Sequence, residues 1–226
     1  MIRDVRCCIA GCGPAGAMLG LLLARAGVPV VVLEKHTDFL RDFRGDTIHP
    51  STLEILADLG LADRFLREMP HSEVKRLDIR LTTGVRMSID LQRLPTQFKF
   101  IAFVPQWDFL EFITAEARRY PTFTLVTAAE ATDLVMDDRR VAGARFRTPS
   151  GSDEVRAQLT VGADGRTSRV REVAGLPLIE TSPPMDVLWF RVSRRPDDAQ
   201  AVELRLSPGH LFALINRAAS TRRGPG

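Results

Sequence analysis

Hydrophobic residues in the first part of the chain follow a strand–helix–strand pattern. The apolar run 5–10 ends at Gly11 and predicts a buried strand. Residues 14–26 are rich in Ala, Leu and Gly and stop at Gly27, which predicts a helix. The run 28–33 reads Val-Pro-Val-Val-Val-Leu, which is typical of a parallel strand buried on both faces. Two such strands joined by a helix form a right-handed βαβ unit.

The rest of the chain mixes a few helices with many short strands. Helical spacing of apolar residues predicts helices at 50–59 and 107–120. Alternating or short apolar runs predict strands at 74–89 (a hairpin turning at 82–84), 99–104, 124–127, 134–136, 141–147, 155–161, 187–192, 201–206 and 210–215. Residues 218–226 show no apolar period and predict a loose tail. This alternation predicts an α/β fold.

Composition narrows the class of protein further. The 226 residues are 45% hydrophobic and 26% charged, as in an ordinary globular protein, and the net charge is only +3. Positive and negative side chains are interspersed, so we expect neither nucleic-acid binding nor a membrane span. The three cysteines Cys7, Cys8 and Cys12 lie in or beside one apolar run, so we expect buried thiols in a reducing cytoplasm and no metal site.

A glycine fingerprint joins the first predicted strand to the first predicted helix. The segment Gly11-Cys12-Gly13-Pro14-Ala15-Gly16 has the G-x-G-x-x-G spacing of a dinucleotide-binding loop. Gly11 permits the tight turn, Gly13 lets the backbone approach a diphosphate, and Gly16 lets the helix pack closely on the strand. Pro14 and Ala15 open the helix, whose N-terminal N–H groups attract phosphates.

An acidic residue ends the second predicted strand at the spacing that this fingerprint requires. Glu34 lies 18 residues after Gly16 and is followed by Lys35. We expect the Glu34 carboxylate to accept hydrogen bonds from ribose hydroxyls and Lys35 to lie beside the same nucleotide. The strand, loop, helix, strand and acid together predict a Rossmann-type nucleotide site.

A second motif lies much later, where a predicted strand runs into Gly162-Ala163-Asp164-Gly165. With Ser168 and Arg171 it reads G-A-D-G-x-x-S-x-x-R. Together with the first fingerprint, it resembles the FAD-dependent aromatic hydroxylases, the class A flavoprotein monooxygenases typified by p-hydroxybenzoate hydroxylase. The resemblance implies that Gly162, Asp164 and Gly165 lie near FAD. Read alone, Asp164 fits equally a residue that caps a following helix.

Two further segments support the resemblance. Arg44 lies in a loop, and in the family an arginine of this loop approaches the flavin. Gln106 precedes a predicted helix, at a position where family members often contact the cofactor with Arg or Gln. The resemblance therefore adds Arg44 and Gln106 to the cofactor-binding residues, whereas no catalytic residue and no substrate ligand is assigned.

The resemblance also implies the reaction and its partners. FAD is the cofactor and NAD(P)H is the co-substrate that reduces it. O₂ supplies one oxygen atom to an aromatic or similar electron-rich small molecule. Two alternatives stay open: an NAD-dependent reductase or dehydrogenase with the same fingerprint, and an inactive, truncated remnant that binds nucleotide weakly or not at all.

The expected architecture is a Rossmann-like FAD-binding domain with an inserted, mainly β substrate domain. We assign residues 1–73 and 102–175 to the former, and 74–101 and 176–217 to the latter. The later G-D-A-A-H-type segment of the family is absent from this sequence. We therefore expect the fold to be incomplete at the C-terminus and the chain to be a fragment. Its oligomeric state does not follow from the sequence.

Overall fold

A computed structural model of the chain describes residues 2–40, 46–181, 186–188, 190, 193, 195 and 202–215. The elements in chain order are β1 (Ile2–Ala10), α1 (Pro14–Arg25), β2 (Val30–Leu33), β3 (Thr47–Ile48), α2 (Pro50–Asp58), α3 (Ala62–Glu68), β4 (Ser72–Val74), β5 (Arg76–Leu81), β6 (Arg86–Asp90), β7 (Ile101–Phe103), α4 (Gln106–Ala117), β8 (Phe123–Val126), β9 (Glu130–Asp137), β10 (Arg140–Thr148), β11 (Gly151–Gly162), α5 (Arg169–Val173), β12 (Val202–Ser207) and β13 (His210–Leu214). The mixed α/β class predicted from the sequence is confirmed.

The chain divides into two compact units. The first unit contains Met1–Leu40 and Phe109–Met185, and the second contains Arg41–Asp108 and Asp186–Gly226. Residues 41–73 and 102–108 therefore belong to the second compact unit. The sequence analysis assigns the same residues to the FAD-binding domain. That functional assignment stays a prediction, and the tail at 218–226 lies outside the described residues.

The first unit is built on a six-stranded sheet in the order β8-β2-β1-β11-β10-β9. Strands β8, β2, β1 and β11 are parallel, and β10 and β9 continue the sheet as an antiparallel meander. All four side chains of β2 are buried, as expected for a central parallel strand. Helix α1 begins with Pro14 at its first turn and contacts β1, β2 and β8.

The second unit contains two smaller sheets. One has four strands in the order β13-β12-β5-β6, and the other has three in the order β3-β7-β4. The hairpin predicted around 82–84 forms between β5 and β6, with Leu77 opposite Ile89 and Ile79 opposite Met87. The side chains of Val74, Leu91, Ile101, Phe103 and Val202 form a buried cluster beside this sheet.

Several parts of the predicted element pattern differ from the structure. Helix α3 and the short strand β3 lie in segments for which no element is predicted, and strand β4 precedes the predicted hairpin. Helix α3 is short and has no capping side chain. The predicted strand at 187–192 falls partly outside the described residues, and Val187, Leu188 and Phe190 lie in no strand. Elsewhere the predicted helices and strands are confirmed with shifted ends.

The three cysteines form no disulfide and are buried, as predicted. Burial, with a smaller contribution from Cys7, raises the pKa of the Cys8 thiol to about 12 from a usual 9.0. The unfolded thiol therefore loses its proton above pH 9 while the folded one keeps it. We expect the free energy of unfolding to fall between pH 9 and pH 12, by at most about 1.4 kcal/mol per pH unit from this group.

Urea unfolding followed by circular dichroism from pH 7.5 to 10.5 measures this slope. The control is Cys8→Ala, which removes the thiol and should flatten the slope in this range. An unchanged slope in Cys8→Ala would assign the alkaline loss of stability to other groups.

Candidate functional site

The glycine fingerprint forms the bend between β1 and α1. Gly11 has φ +97°, a conformation that favours glycine, and its N–H donates to the Leu33 carbonyl at 2.7 Å. A Cβ on Gly16 would lie 1.9 Å from the Gly11 carbonyl oxygen, so helix and bend touch backbone to backbone. The roles predicted for these two glycines from the fingerprint agree with this geometry.

Gly13 differs from its neighbours because the space beside it is open. It is the N-cap of α1 with an ordinary φ of −71°, and no heavy atom lies within 4 Å of an added Cβ. No side chain caps the helix, and no acidic residue lies in its first turn. Within the described residues, the N–H groups of Ala15 and Gly16 have no protein acceptor. The positive end of the helix dipole therefore faces space that no protein atom fills.

Glu34 lies at the mouth of this bend. Its side chain is only 2% exposed, yet it is an ionisable residue at the carboxyl end of β2. One carboxylate oxygen accepts the Cys12 N–H at 2.9 Å, and the other accepts the His36 N–H at 2.9 Å. The Glu34 backbone is bonded to Val126 and Ala129 as well. The acid is thus fixed in place beside the fingerprint loop.

The second motif packs directly against the first. β1 and β11 end side by side, with Ala10 opposite Gly162, and the Ala163 N–H donates to the Ala10 carbonyl at 2.7 Å. A Cβ on Gly11 would lie 2.4 Å from the Ala163 carbonyl oxygen. Two motifs that are about 150 residues apart in the sequence therefore form one wall at the carboxyl edge of the sheet.

Asp164 caps helix α5 in this structure. Its carboxylate accepts the Val170 N–H at 3.1 Å and the Ser168 hydroxyl, and the Ser168 oxygen accepts the Arg171 N–H at 3.0 Å. The sequence left two roles open for Asp164, which are to lie near FAD or to cap a helix. The hydrogen bonds of its carboxylate to Val170 and Ser168 support the capping role. Sequence reasoning did not single out the capping role of Ser168, although a serine just before a short helix is a recognisable N-cap signal.

Replacing Ser168 with Ala should loosen α5 and cost about 0.5–2 kcal/mol of stability, because the Arg171 N–H and the Asp164 carboxylate both lose a partner. Thr167→Ala removes a neighbouring hydroxyl that is exposed and is the matched control. Chemical unfolding of both variants measures the difference. Equal stability of the two variants would contradict the capping role.

The remaining predicted cofactor residues fall in different surroundings. Lys35 is exposed beside Glu34, and Gly165 is exposed with φ +86°. Gln106 begins α4 in the second unit and is half-buried. Arg44 lies outside the described residues. The structure therefore brings together Gly11, Gly13, Gly16, Glu34 and the Gly162–Gly165 segment, and these are all in the first unit.

The assembled site fits a dinucleotide. Free N–H groups at a helix N-terminus suit a diphosphate, and the open space at Gly13 allows it to approach the backbone. The two Glu34 oxygens accept the Cys12 and His36 N–H groups, and a carboxylate is the kind of acceptor that ribose hydroxyls bind. In the part of the chain that the structure describes, no three His, Cys, Asp or Glu side chains cluster as metal ligands. None of its helices is long and apolar enough to cross a membrane.

Comparisons with known proteins identify the family of the chain. The model of the FAD binding domain family matches residues 4–219. A curated relative, 6-methylpretetramide 4-monooxygenase of Streptomyces rimosus, is 33% identical over 189 residues, which cover 82% of this chain and 44% of the relative. Among solved structures, anhydrotetracycline hydroxylase of Streptomyces rimosus has a TM-score of 0.69 at 29% identity and covers 80% of this chain and 36% of that one.

A second solved structure is aklavinone-11 hydroxylase in complex with FAD and aklavinone. It has a TM-score of 0.65 at 25% identity over 77% of this chain and 35% of that chain. The chain therefore spans less than half the length of each of these relatives.

Proposed function

The chain belongs to the FAD binding domain family, and on that premise we propose that it forms the FAD-holding part of an FAD-dependent aromatic monooxygenase. The observation that carries this proposal is the pairing of an open, bare helix N-terminus at Gly13 with the fixed carboxylate of Glu34. The named relatives are monooxygenases and hydroxylases, which favours this reaction over that of an NAD-dependent dehydrogenase.

The residues of this chain would hold and orient the cofactor. The Ala15 and Gly16 N–H groups would donate to the diphosphate, and Glu34 would accept from the ribose of the adenosine half. Gly162 and Gly165 keep the neighbouring wall free of side chains, while Asp164 and Ser168 fix that wall through α5. When bound, the flavin supplies the redox and oxygen chemistry, and the protein supplies position and exclusion of water.

The further partners in the proposal are those of the monooxygenase reaction. NAD(P)H is the proposed reductant, O₂ the proposed oxidant, and an aromatic small molecule the proposed substrate. The relatives act on, or are bound to, compounds named 6-methylpretetramide, anhydrotetracycline and aklavinone, which supports an aromatic substrate for this chain. Three buried cysteines that form no disulfide support a reducing compartment, and we propose the cytoplasm. Arg44, Gln106 and Lys35 remain proposed cofactor contacts.

Titration of the purified chain with FAD, followed by quenching of flavin fluorescence, tests the proposal. We expect saturable binding of FAD, and no comparable binding of NAD⁺ at equal concentration. Tighter binding of NAD⁺ than of FAD would favour the dehydrogenase alternative, and binding of neither would favour an inactive remnant. Oxidation of NAD(P)H by the FAD-loaded chain, with and without aromatic compounds, then measures turnover.

Replacing Glu34 with Ala should weaken FAD binding by about 1–3 kcal/mol, because ribose hydroxyls lose their acceptor. Glu34→Gln retains one acceptor oxygen and should fall between Ala and the wild type. Thr37→Ala, at an exposed position on the same loop, is the matched control and should keep FAD affinity within about threefold. Fluorescence titration gives the three dissociation constants. An unchanged constant in Glu34→Ala, with the fold intact by circular dichroism, would remove Glu34 from the site.

A further inference from the structure

Two non-glycine residues in the described part of the chain have a left-handed backbone conformation. Ala128 has φ 51° and Asp138 has φ 53°. Asp138 lies in the turn between β9 and β10, where aspartate tolerates this conformation. Ala128 lies in residues 127–129 between β8 and β9, which we call the β8–β9 bend. Alanine has no polar side chain to stabilise such a conformation locally, so the surroundings of Ala128 must enforce it.

The β8–β9 bend is hydrogen-bonded to the backbone segment that follows β2. The Ala128 N–H donates to the His36 carbonyl at 2.9 Å, and the Ala129 N–H donates to the Glu34 carbonyl at 2.8 Å. The Glu34 N–H donates in turn to the carbonyl of Val126, the last residue of β8, at 2.8 Å. Three backbone hydrogen bonds therefore hold the segment that carries Glu34.

Packing fixes the chain on both sides of Ala128. Ala129 is only 1% exposed and belongs to the buried cluster that contains Val31 and Leu33 of β2. Val126 packs against the same cluster and pairs with Leu33 in the sheet. Neither side of the bend can move without opening this cluster, so the residues between them must complete the turn. The left-handed conformation of Ala128 is the result.

A continuous hydrogen-bonded path leads from this bend to the glycine fingerprint. His36 accepts the Ala128 N–H with its carbonyl and donates its own N–H to one Glu34 carboxylate oxygen at 2.9 Å. The other Glu34 carboxylate oxygen accepts the Cys12 N–H of the fingerprint loop at 2.9 Å. The path therefore runs from Ala128 through His36 and the Glu34 carboxylate to Cys12.

We propose that Ala128 is a positioning residue of the nucleotide site, because its left-handed conformation holds the Glu34 carboxylate against the fingerprint loop. This inference rests on the proposed function, in which Glu34 accepts hydrogen bonds from the ribose of FAD. It goes beyond that function in assigning part of the affinity for FAD to a backbone bend about 90 residues after Glu34. Ala128 acts through His36 and Glu34.

Replacing Ala128 with Val tests the proposal, because a β-branched residue is an outlier in the left-handed region. The bend should change conformation and lose its hydrogen bonds to His36 and Glu34. We expect FAD affinity to fall at least about fivefold. Asp138→Val is the matched control, because it forces the same change at a nearly equal φ in another turn. It should lower the urea midpoint but keep FAD affinity within about twofold.

Ala128→Gly is the conservative variant. Glycine adopts a φ of 51° without strain and keeps the N–H that donates to His36. FAD affinity should stay within about twofold of the wild type, and the urea midpoint should not fall. A loss of affinity in Ala128→Gly as large as that in Ala128→Val would overturn the proposal.

Combining Ala128→Val with Glu34→Ala separates positioning from a general loss of stability. If Ala128 acts through Glu34, its replacement should weaken FAD binding by no more than about twofold once the carboxylate is gone. Fluorescence titration of the two single variants and the double variant measures this coupling. Additive losses of affinity would overturn the proposal, and so would equal losses in Ala128→Val and Asp138→Val.

Amide hydrogen exchange of the apo chain examines the same path without a cofactor. The Cys12 and His36 N–H groups donate to Glu34, so both should exchange at least about tenfold faster in Ala128→Val than in Asp138→Val. Equal exchange rates would overturn the proposal. If the wild type does not bind FAD, the proposed function fails, and the exchange rates still decide whether Ala128 positions Glu34.

Ala128→Leu and Asp138→Leu replace the two valine variants if Ala128→Val does not fold. Leucine is not branched at Cβ and is therefore tolerated better in the left-handed region. The same order of FAD affinities and amide exchange rates is expected, and equal values in the two leucine variants would overturn the proposal.

Discussion

Replacing Gly13 with Asp should abolish FAD binding while slightly stabilising the apo fold. No atom lies within 4 Å of an added Cβ, and the backbone φ of −71° suits any residue, so the substitution fits the free protein. Asp is a preferred N-cap and should contribute a few tenths of a kcal/mol to α1, which has no capping side chain. The same carboxylate would occupy the N–H groups meant for the diphosphate and repel it. We expect FAD affinity to fall at least about 100-fold.

Fluorescence titration and urea unfolding of one protein sample separate the two effects. Thr83→Asp is the charge control, because it adds the same charge in an exposed hairpin turn of the second unit. Gly13→Val tests the steric part alone and should also abolish binding. Normal FAD affinity in both Gly13 variants would show that the diphosphate does not lie at this bend.

Replacing Gly16 with Ala should unfold or severely destabilise the first unit. Its Cβ would lie 1.9 Å from the Gly11 carbonyl oxygen and 3.3 Å from a methyl of Ile9. Because the nearest atom is backbone of the fingerprint bend, relief requires moving α1 away from β1. We expect a loss on the order of 3 kcal/mol or more, at the upper end for overpacking, and loss of FAD binding with it.

Gly20→Ala is the matched control one turn further along α1. Its Cβ would lie 2.9 Å from a ring carbon of Phe123 and 3.0 Å from a methyl of Val32, both of which are side-chain atoms that can shift. The better helix propensity of Ala offsets part of the cost, so we expect a change within about 1 kcal/mol. Thermal and urea unfolding of the two variants compare them. Similar stabilities would mean that α1 is free to shift on β1.

The nucleotide site could be predicted because its signals are local in the sequence. The fingerprint of this bend requires glycine at positions 11, 13 and 16. The length of one βαβ unit sets the position of the acidic residue, Glu34. The family match confirms the FAD-binding fold that these residues and the Gly162–Gly165 segment indicated. The individual cofactor contacts stay predictions, because no part of the sequence fixes where each atom of a ligand lies.

Other features of the fold could not be predicted, because they depend on strand pairing between segments that are distant in the sequence. The predicted strand at 134–136 extends over Glu130–Asp137, and the predicted strand at 155–161 begins at Gly151, because the antiparallel pairing of β9, β10 and β11 continues into polar residues. Backbone hydrogen bonds do not require apolar side chains, so hydrophobic patterns underestimate such strands. The parallel pairing of β12 with β5 likewise joins segments that are distant in the sequence, so no local pattern indicates it.

The junction of Ala10 with Ala163 has a consequence for biosynthesis. During translation, β1 and β2 emerge from the ribosome early, but the strand that completes the other flank of β1 is made about 150 residues later. A nascent chain shorter than this therefore exposes one edge of its central strand and lacks half of the nucleotide crevice. If FAD binds at this junction as proposed, we expect its binding to follow release of β11 from the exit tunnel, and until then the unpaired strand edge is exposed to chaperones.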